Sequence, residues 1–227
     1  DTGDENGNVI TVYSQTSSPL DNSYIITNPA NAFRRYQGVE LQWTRRMSDR
    51  WMVQGAWIIS KTTGNIADNR SEPTSAEYND PNADAASQPL REGRLSGDNT
   101  HAVRALVWWR APLGFSVTGD VWYISGDAFT RTVRPKANQG RPEMLIEPRG
   151  SRRYAAQSAV NLRVDRAITL RGQQRVTLAL EVFSLLNLST VTRVTVQTPV
   201  SPASAPFGTP QALVEPRRMF VSATYRF

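Results

Sequence analysis

The residues able to do chemistry are few, and most of them are arginines. His101 is the single histidine, and cysteine is absent. One histidine gives no Ser-His-Asp set with any spacing constraint, and counting alone excludes metal sites of the His/Cys type. His101 follows "GDNT" at the start of an alternating stretch and reads as a rim residue. Asp80 and Asp84 in "NDPNADAA" (79–86) offer carboxylates to a hard cation, but the segment lacks the glycine and closing glutamate of a calcium loop and reads as solvated. The glycines of "REGRLSGDN" have no strand-to-helix setting and make no phosphate loop. Lys61 and Lys136 are the only lysines, so arginine carries nearly all the positive charge of a chain with net charge +6 and pI near 10.0. Three arginine pairs recur: "RRY" at 34–36, "RRY" at 152–154 and "RRM" at 217–219. Two of them follow an echo, "LIEPRG" at 145–150 and "LVEPRR" at 213–218. Guanidinium groups bind phosphate in a two-pronged geometry, so the chemistry to expect is anion recognition. The arginines form no dense block interleaved with aromatics, so nucleic acid is not an expected partner. No enzymatic activity and no cofactor is expected.

The elements that must position these residues alternate with a period of two. "YQGVELQWTRR" sets Val39, Leu41 and Trp43 against Glu40, Gln42 and Thr44. The same pattern runs through "WMVQGAWIISK", "HAVRALVWWR", "FSVTGDVWYIS", "AVNLRVDRA", "RVTLALEVF" and "RRMFVSATYRF", and "NVITVYS" at 8–14 reads as an eighth strand. Strict alternation over strand length gives each strand one apolar and one polar face. Hydrophobic residues make up 39% and mean hydropathy is −0.44, with no apolar run of membrane-helix length; the polar start "DTGDENGN" lacks a leader pattern and is expected either to follow a removed signal or to be an internal start.

The connections alternate too. Tight turns "MSDR", "APLG" and "ITLRGQ" separate long segments at roughly 15–33, 62–100, 126–153 and 188–216. Long structureless loops are uncommon in compact soluble domains. Sorting them to one end of a sheet is the habit of a transmembrane barrel, with short periplasmic turns and long extracellular loops. Trp43, Trp51 and Phe115 near the short turns, with Trp57 and Tyr123 near the long loops, suit its two aromatic girdles. The expected fold is therefore all-β: an antiparallel transmembrane β-barrel segment of about eight strands, in the bacterial outer membrane. Val39, Leu41, Trp43, Val53, Trp57, Val107, Val121, Leu162, Val164, Leu178, Leu180, Val221 and Tyr225 are expected to face lipid. Glu40, Gln42, Thr44, Gln54, Arg104, Asp120, Asn161, Arg163, Asp165, Glu181, Thr224 and Arg226 are expected to face the lumen, most of them satisfying one another or facing water. Arg35, Arg152 and Arg217 are expected to point outward at the extracellular rim as a phosphate-binding collar for lipopolysaccharide. Arg34, Arg153 and Arg218 would then ring the mouth; the competing expectation is that Glu147 and Glu215 neutralise the pairs and use them to pin loops.

Four stretches in order resemble the C-terminal barrel of TonB-dependent receptors, especially the Oar-like group. "RRYQGVELQWTRRMSDRWMVQGAWIISKTTG" is similar to their strand, turn and "SYTYSK" strand. "LGFSVTGDVWYISGDAFTR" resembles their "SG-P-TR" hairpin strand, and "NLRVDRAITLRGQQRVTLALEVFSLLN" their "DLRLEK…DVFNLLN" hairpin. "FGTPQALVEPRRMFVSATYRF" resembles their closing segment. Ser184 stands where the family usually has Asn, and Trp108 and Trp109 are bulkier than its usual residues. The resemblance implies a C-terminal portion of a barrel of about 22 strands, with a plug domain and TonB engaged through a further N-terminal part. It implies uptake of an unidentified nutrient, and a terminal signal at Tyr225 and Phe227 read by the barrel assembly machinery. The alternatives are an adhesion or structural barrel with surface-binding loops, and a complete small eight-stranded barrel.

Overall fold

The computed structural model of the chain describes residues 2–3, 9–14, 16, 32–65, 90–138, 140–141, 143–170, 172, 174–199 and 205–227. Seven long strands form one antiparallel meander: β1 (Arg34–Ser48), β2 (Trp51–Gly64), β3 (His101–Arg110), β4 (Phe115–Ile124), β5 (Gln157–Thr169), β6 (Arg175–Phe183) and β7 (Arg218–Arg226). Each pairs with its sequence neighbour, and Gly93–Arg94 adds a short ladder at the end of β2. The chain is all-β and its long strands are antiparallel. The sheet does not close: among the described residues β1 and β7 are its open ends. No described helix is long and apolar enough to cross a membrane, which leaves strand crossing open.

The eighth strand expected at 8–14 is not part of this sheet. Only Val9–Ile10 is extended there, and it pairs with Thr2–Gly3 in a separate ladder. Its alternation is too short to give a face worth docking on the meander. The Asp80 and Asp84 loop lies outside the described residues.

The tight turns fall where sequence chemistry allows them. Asp49 and Arg50 both have positive φ, at 50° and 74°, as a two-residue hairpin matched to strand twist requires. Arg45 holds that turn, pairing with Asp49 at 3.1 Å and lying over the Trp51 ring at 3.9 Å. Pro112–Gly114 closes the second hairpin, with Leu113 at φ 59°. The third closes through the Leu170 N–H on the Gln174 carbonyl at 2.9 Å.

Register aligns the alternation of all seven strands. Val53, Val107, Gly119, Leu162, Val182 and Met219 form one unbroken row across six strands. Trp51, Trp109, Val117, Val164, Leu180 and Val221 form another on the same face. This apolar face is largely uncovered, with Val39 59%, Leu178 47% and Val221 82% exposed, while Val182 near the long-loop end is buried. Trp43 lies deeper in the strand than a turn-end position, opposite Gly55 with its indole over that glycine.

The most deeply buried apolar residues lie elsewhere. Leu95, Ala128, Val133 and Met144 are fully buried, and all belong to the long connections. Those connections interlock. The Arg149 guanidinium donates to the Arg91 carbonyl at 2.6 Å, joining the second connection to the third. Gln197–Thr198 pairs in parallel with Thr132–Val133, and Arg131 donates to the Thr198 hydroxyl at 2.6 Å, joining the third to the last. Arg131 and Arg152 both lie against the Phe207 ring, at 4.8 and 4.9 Å. The long-loop end is thus a packed cap, whereas a soluble sandwich would bury the sheet itself.

Candidate functional site

The polar face gathers every residue expected on the lumen side. Glu40 and Gln42 of β1 share it, with the Gln42 amide donating to Glu40 at 2.7 Å. Arg104 reaches across to Asp120 at 3.2 Å, and Asn161 donates to the other Asp120 oxygen at 3.1 Å. Arg163 bridges Asp165, at 3.3 Å, and Glu181 on the next strand. Arg226 stands opposite Arg175, like charges facing across the last pair. This network is mostly self-satisfied, and it offers no nucleophile or acid–base pair. Among the described residues no cluster of three or more metal-binding side chains occurs.

The face is less polar than alternation suggests. Trp108, Trp122, Phe183 and Phe220 also lie on it. Phe183 and Phe220 meet edge-to-face with centroids 5.8 Å apart. The adjacent "WW" at 108–109 necessarily puts one indole on each side.

The arginine pairs take three different environments. Arg35 lies in β1 on the same face as Val39 and has no partner among the described residues. Arg217 precedes β7, its backbone N–H donating to the Asn187 side chain at 2.9 Å. Arg152 departs from the expected collar. With Arg153 it forms a separate ladder against Ala128–Phe129, apart from β5, and its guanidinium is held by both Glu147 oxygens at 2.8 and 2.9 Å. Arg218 pairs with Glu215. Arg153 does not ring a mouth but turns into the cap. The physical reason is local: each of these guanidiniums has a carboxylate within reach, and a charge-assisted bond near a packed core outweighs a solvated position.

The carboxylate that holds Arg153 is Asp98, which sequence reading passed over. Asp98 is fully buried, accepts from the Thr62 N–H at 2.5 Å and binds Arg94 and Arg153 at 2.5 Å each. Arg153 also donates to the Asp98 and Gly126 carbonyls at 2.7 Å. Burial pushes the Asp98 carboxyl up, but the Thr62 N–H and the two guanidiniums outweigh it and hold it below the ordinary carboxylate range. At neighbouring Asp127 burial wins over the Gly97 and Ala128 N–H groups, and its carboxyl is raised. The one available signal was "RLSGDN", an arginine four residues before an aspartate in a turn; its partner Arg153 is distant in sequence.

His101 opens β3 beside Trp57, ring centroids 5.9 Å apart, on the apolar face near the cap. Tyr225 and Phe227 stack loosely at 5.9 Å, and Phe227 is 97% exposed. In comparisons with known proteins, no family model matches the chain and no curated protein matches it.

Proposed function

We propose that this chain is wall from the barrel of a TonB-dependent outer-membrane receptor, with its apolar face in lipid, its polar face lining the lumen and its cap outside the cell. The observation that carries the reading is a largely uncovered apolar face, with rows running across six strands, on a sheet whose most deeply buried residues lie in the loops. Water would penalise that face heavily, whereas lipid is its natural solvent. Strand lengths support it: a ten-residue strand such as β3 or β4 rises about 34 Å and, tilted near 45°, covers roughly 24 Å of bilayer. The edges of β1 and β7, open among the described residues, also count, because lipid cannot satisfy unpaired N–H and C=O groups. They favour a segment of a larger barrel of about 22 strands, working with a plug domain and TonB in nutrient uptake, over a complete eight-stranded one. Tyr225 and Phe227 then serve the assembly machinery, and Arg35 and Arg217 remain the rim groups open to lipopolysaccharide phosphate. A second reading, adhesion through the loops, is favoured by the fixed surface that the interlocked cap presents.

Spin labels along β6, in the chain reconstituted into bilayers, test the reading. Labels at 178 and 180 should report lipid, and labels at 179 and 181 water. The opposite pattern, or water at all four, sinks it.

A further inference from the structure

At the long-loop end of the polar face, the chain leaving β6 folds back over the sheet and partly encloses an open cavity of about 380 Å³. That is within the ~300–1,000 Å³ of small-molecule sites, at the small end. Its floor includes Trp122 of β4, Gln157 of β5 and Phe183 of β6. Its roof is the 184–188 turn, which contributes Asn187, and its mouth carries Glu215 and Arg218. The roof is fixed in place. The Ser184 N–H donates to the Asn161 side chain at 3.0 Å, the Leu185 N–H to the Val160 carbonyl at 2.8 Å, and Asn187 accepts from the Arg217 N–H at 2.9 Å.

The chemistry of the lining narrows the occupant. Trp122 is half-buried, and neither its indole N–H nor the Gln157 amide has a hydrogen-bond partner among the described residues. Among the described residues that line it, the only charges are Glu215 and Arg218, and they are paired with each other, so this lining is neutral. An anion would have to displace Glu215 from Arg218, and a cation the reverse. A purely apolar guest would bury the amides and the indole N–H without partners. A sugar satisfies all of them: its hydroxyls both donate and accept, and its C–H face covers an aromatic ring.

We propose that this cavity binds a neutral short saccharide, a sugar ring stacked on Trp122 with its hydroxyls shared between Gln157, Asn187 and the Arg218–Glu215 pair. As the cargo class of the transporter, this rests on the lumen assignment; as a binding site, it stands on the cavity alone. The test titrates the full chain, in detergent micelles and in liposomes, with maltose, cellobiose and lactose, reading tryptophan fluorescence and heat. At least one disaccharide should saturate. Trp122→Ala should weaken it about tenfold or more and Gln157→Ala by less, while Trp57→Phe on the apolar face leaves it unchanged. Trp122→Phe keeps a ring and should retain part of the affinity, guarding against a variant that fails to fold. The proposal is overturned if no disaccharide saturates, if Trp122→Ala binds like the parent, or if citrate binds where the sugars do not. Liposome flotation separates the two ideas. Flotation without sugar binding ends this proposal and spares the wall reading; sugar binding without flotation does the reverse.

Discussion

Leu180→Arg separates a lipid-facing sheet from a water-facing one by energy alone. Leu180 sits in β6 between Val164 and Val221, in the middle of the apolar face, and is 39% exposed. It lies five residues above the start of β6 at Arg175, which at ~3.4 Å per residue and a tilt near 40° is about 13 Å of a ~25 Å apolar band. An arginine near the midplane of such a band costs about 2–4 kcal/mol. On a water-exposed sheet the same change costs within ~0.5 kcal/mol, because the guanidinium stays hydrated. The two environments therefore differ by a factor of at least about ten in the folding equilibrium. Glu181→Gln is the control, removing one partner of Arg163 on the opposite face at a cost of about 0.5–1 kcal/mol, since both groups are partly exposed. The assay is reversible urea unfolding from thin phospholipid vesicles, read by tryptophan fluorescence. A Leu180→Arg cost no larger than that of Glu181→Gln would refute the argument from the exposed face.

Three other expectations follow from single sites. Asp98→Asn strips the counter-charge from Arg94 and Arg153, each about a third exposed, and should cost about 2 kcal/mol, read as faster proteolysis within the cap while the strands stay protected. Because the folded carboxyl of Asp98 lies below its unfolded value near 3.9, its stabilisation is present above that pH and is lost as pH falls through the lower folded value. The raised carboxyl of Asp127 acts oppositely, favouring the fold at low pH and losing that contribution as pH rises through its folded value, so Asp98→Asn should flatten the acid limb of a cap-opening profile measured by hydrogen exchange at Thr62. Gly55→Ala puts a Cβ 2.2 Å from the Trp43 ring, forcing the indole off its glycine; a loss of about 1 kcal/mol and a shifted Trp43 emission are expected, and an unchanged spectrum would contradict the packing. Ser184→Asn should add about 0.5–1 kcal/mol to thermal stability, because Ser184 holds φ at 51°, a left-handed conformation that asparagine tolerates better.

The strands were legible because alternation is a local property. Seven of the eight expected segments form the meander, each apolar set falls on one face, and the tight turns place Asp49, Gly114 and Gly172 at positive φ, although Arg50 and Leu113 adopt it too without being residue types that favour it. The failures share one cause. Val9–Ile10 alternates over too short a span to be placed by pattern. Arg152 and Arg153 look like the opening of a strand because the residues after them alternate, yet Glu147 and the distant Asp98 pull both side chains into the cap. Pairings such as Arg153 with Asp98, or Thr198 with Arg131, join different loops and leave no periodic trace. The polar-face cavity was hidden for a related reason: Trp122 reads as one of many aromatics until the 184–188 turn folds over it.

The two ends of the sheet consequently carry different kinds of stability. At the short-turn end the contacts are more local: Arg45 and Asp49 pair within their own turn, and the Arg50 carbonyl reaches only as far as the Arg110 N–H of β3, at 2.7 Å. At the other end Asp98 binds Thr62, Arg94 and Arg153 together, so loosening that carboxylate releases contacts of β2 and of two connections at once. The carboxylate's position makes the cap cooperative, whereas a tight turn is tied at most to the strand beside it. A change confined to one turn should therefore shift its own hairpin and the strand beside it, whereas a change at Asp98 should be felt across the cap, including the ladder between Arg152–Arg153 and Ala128–Phe129.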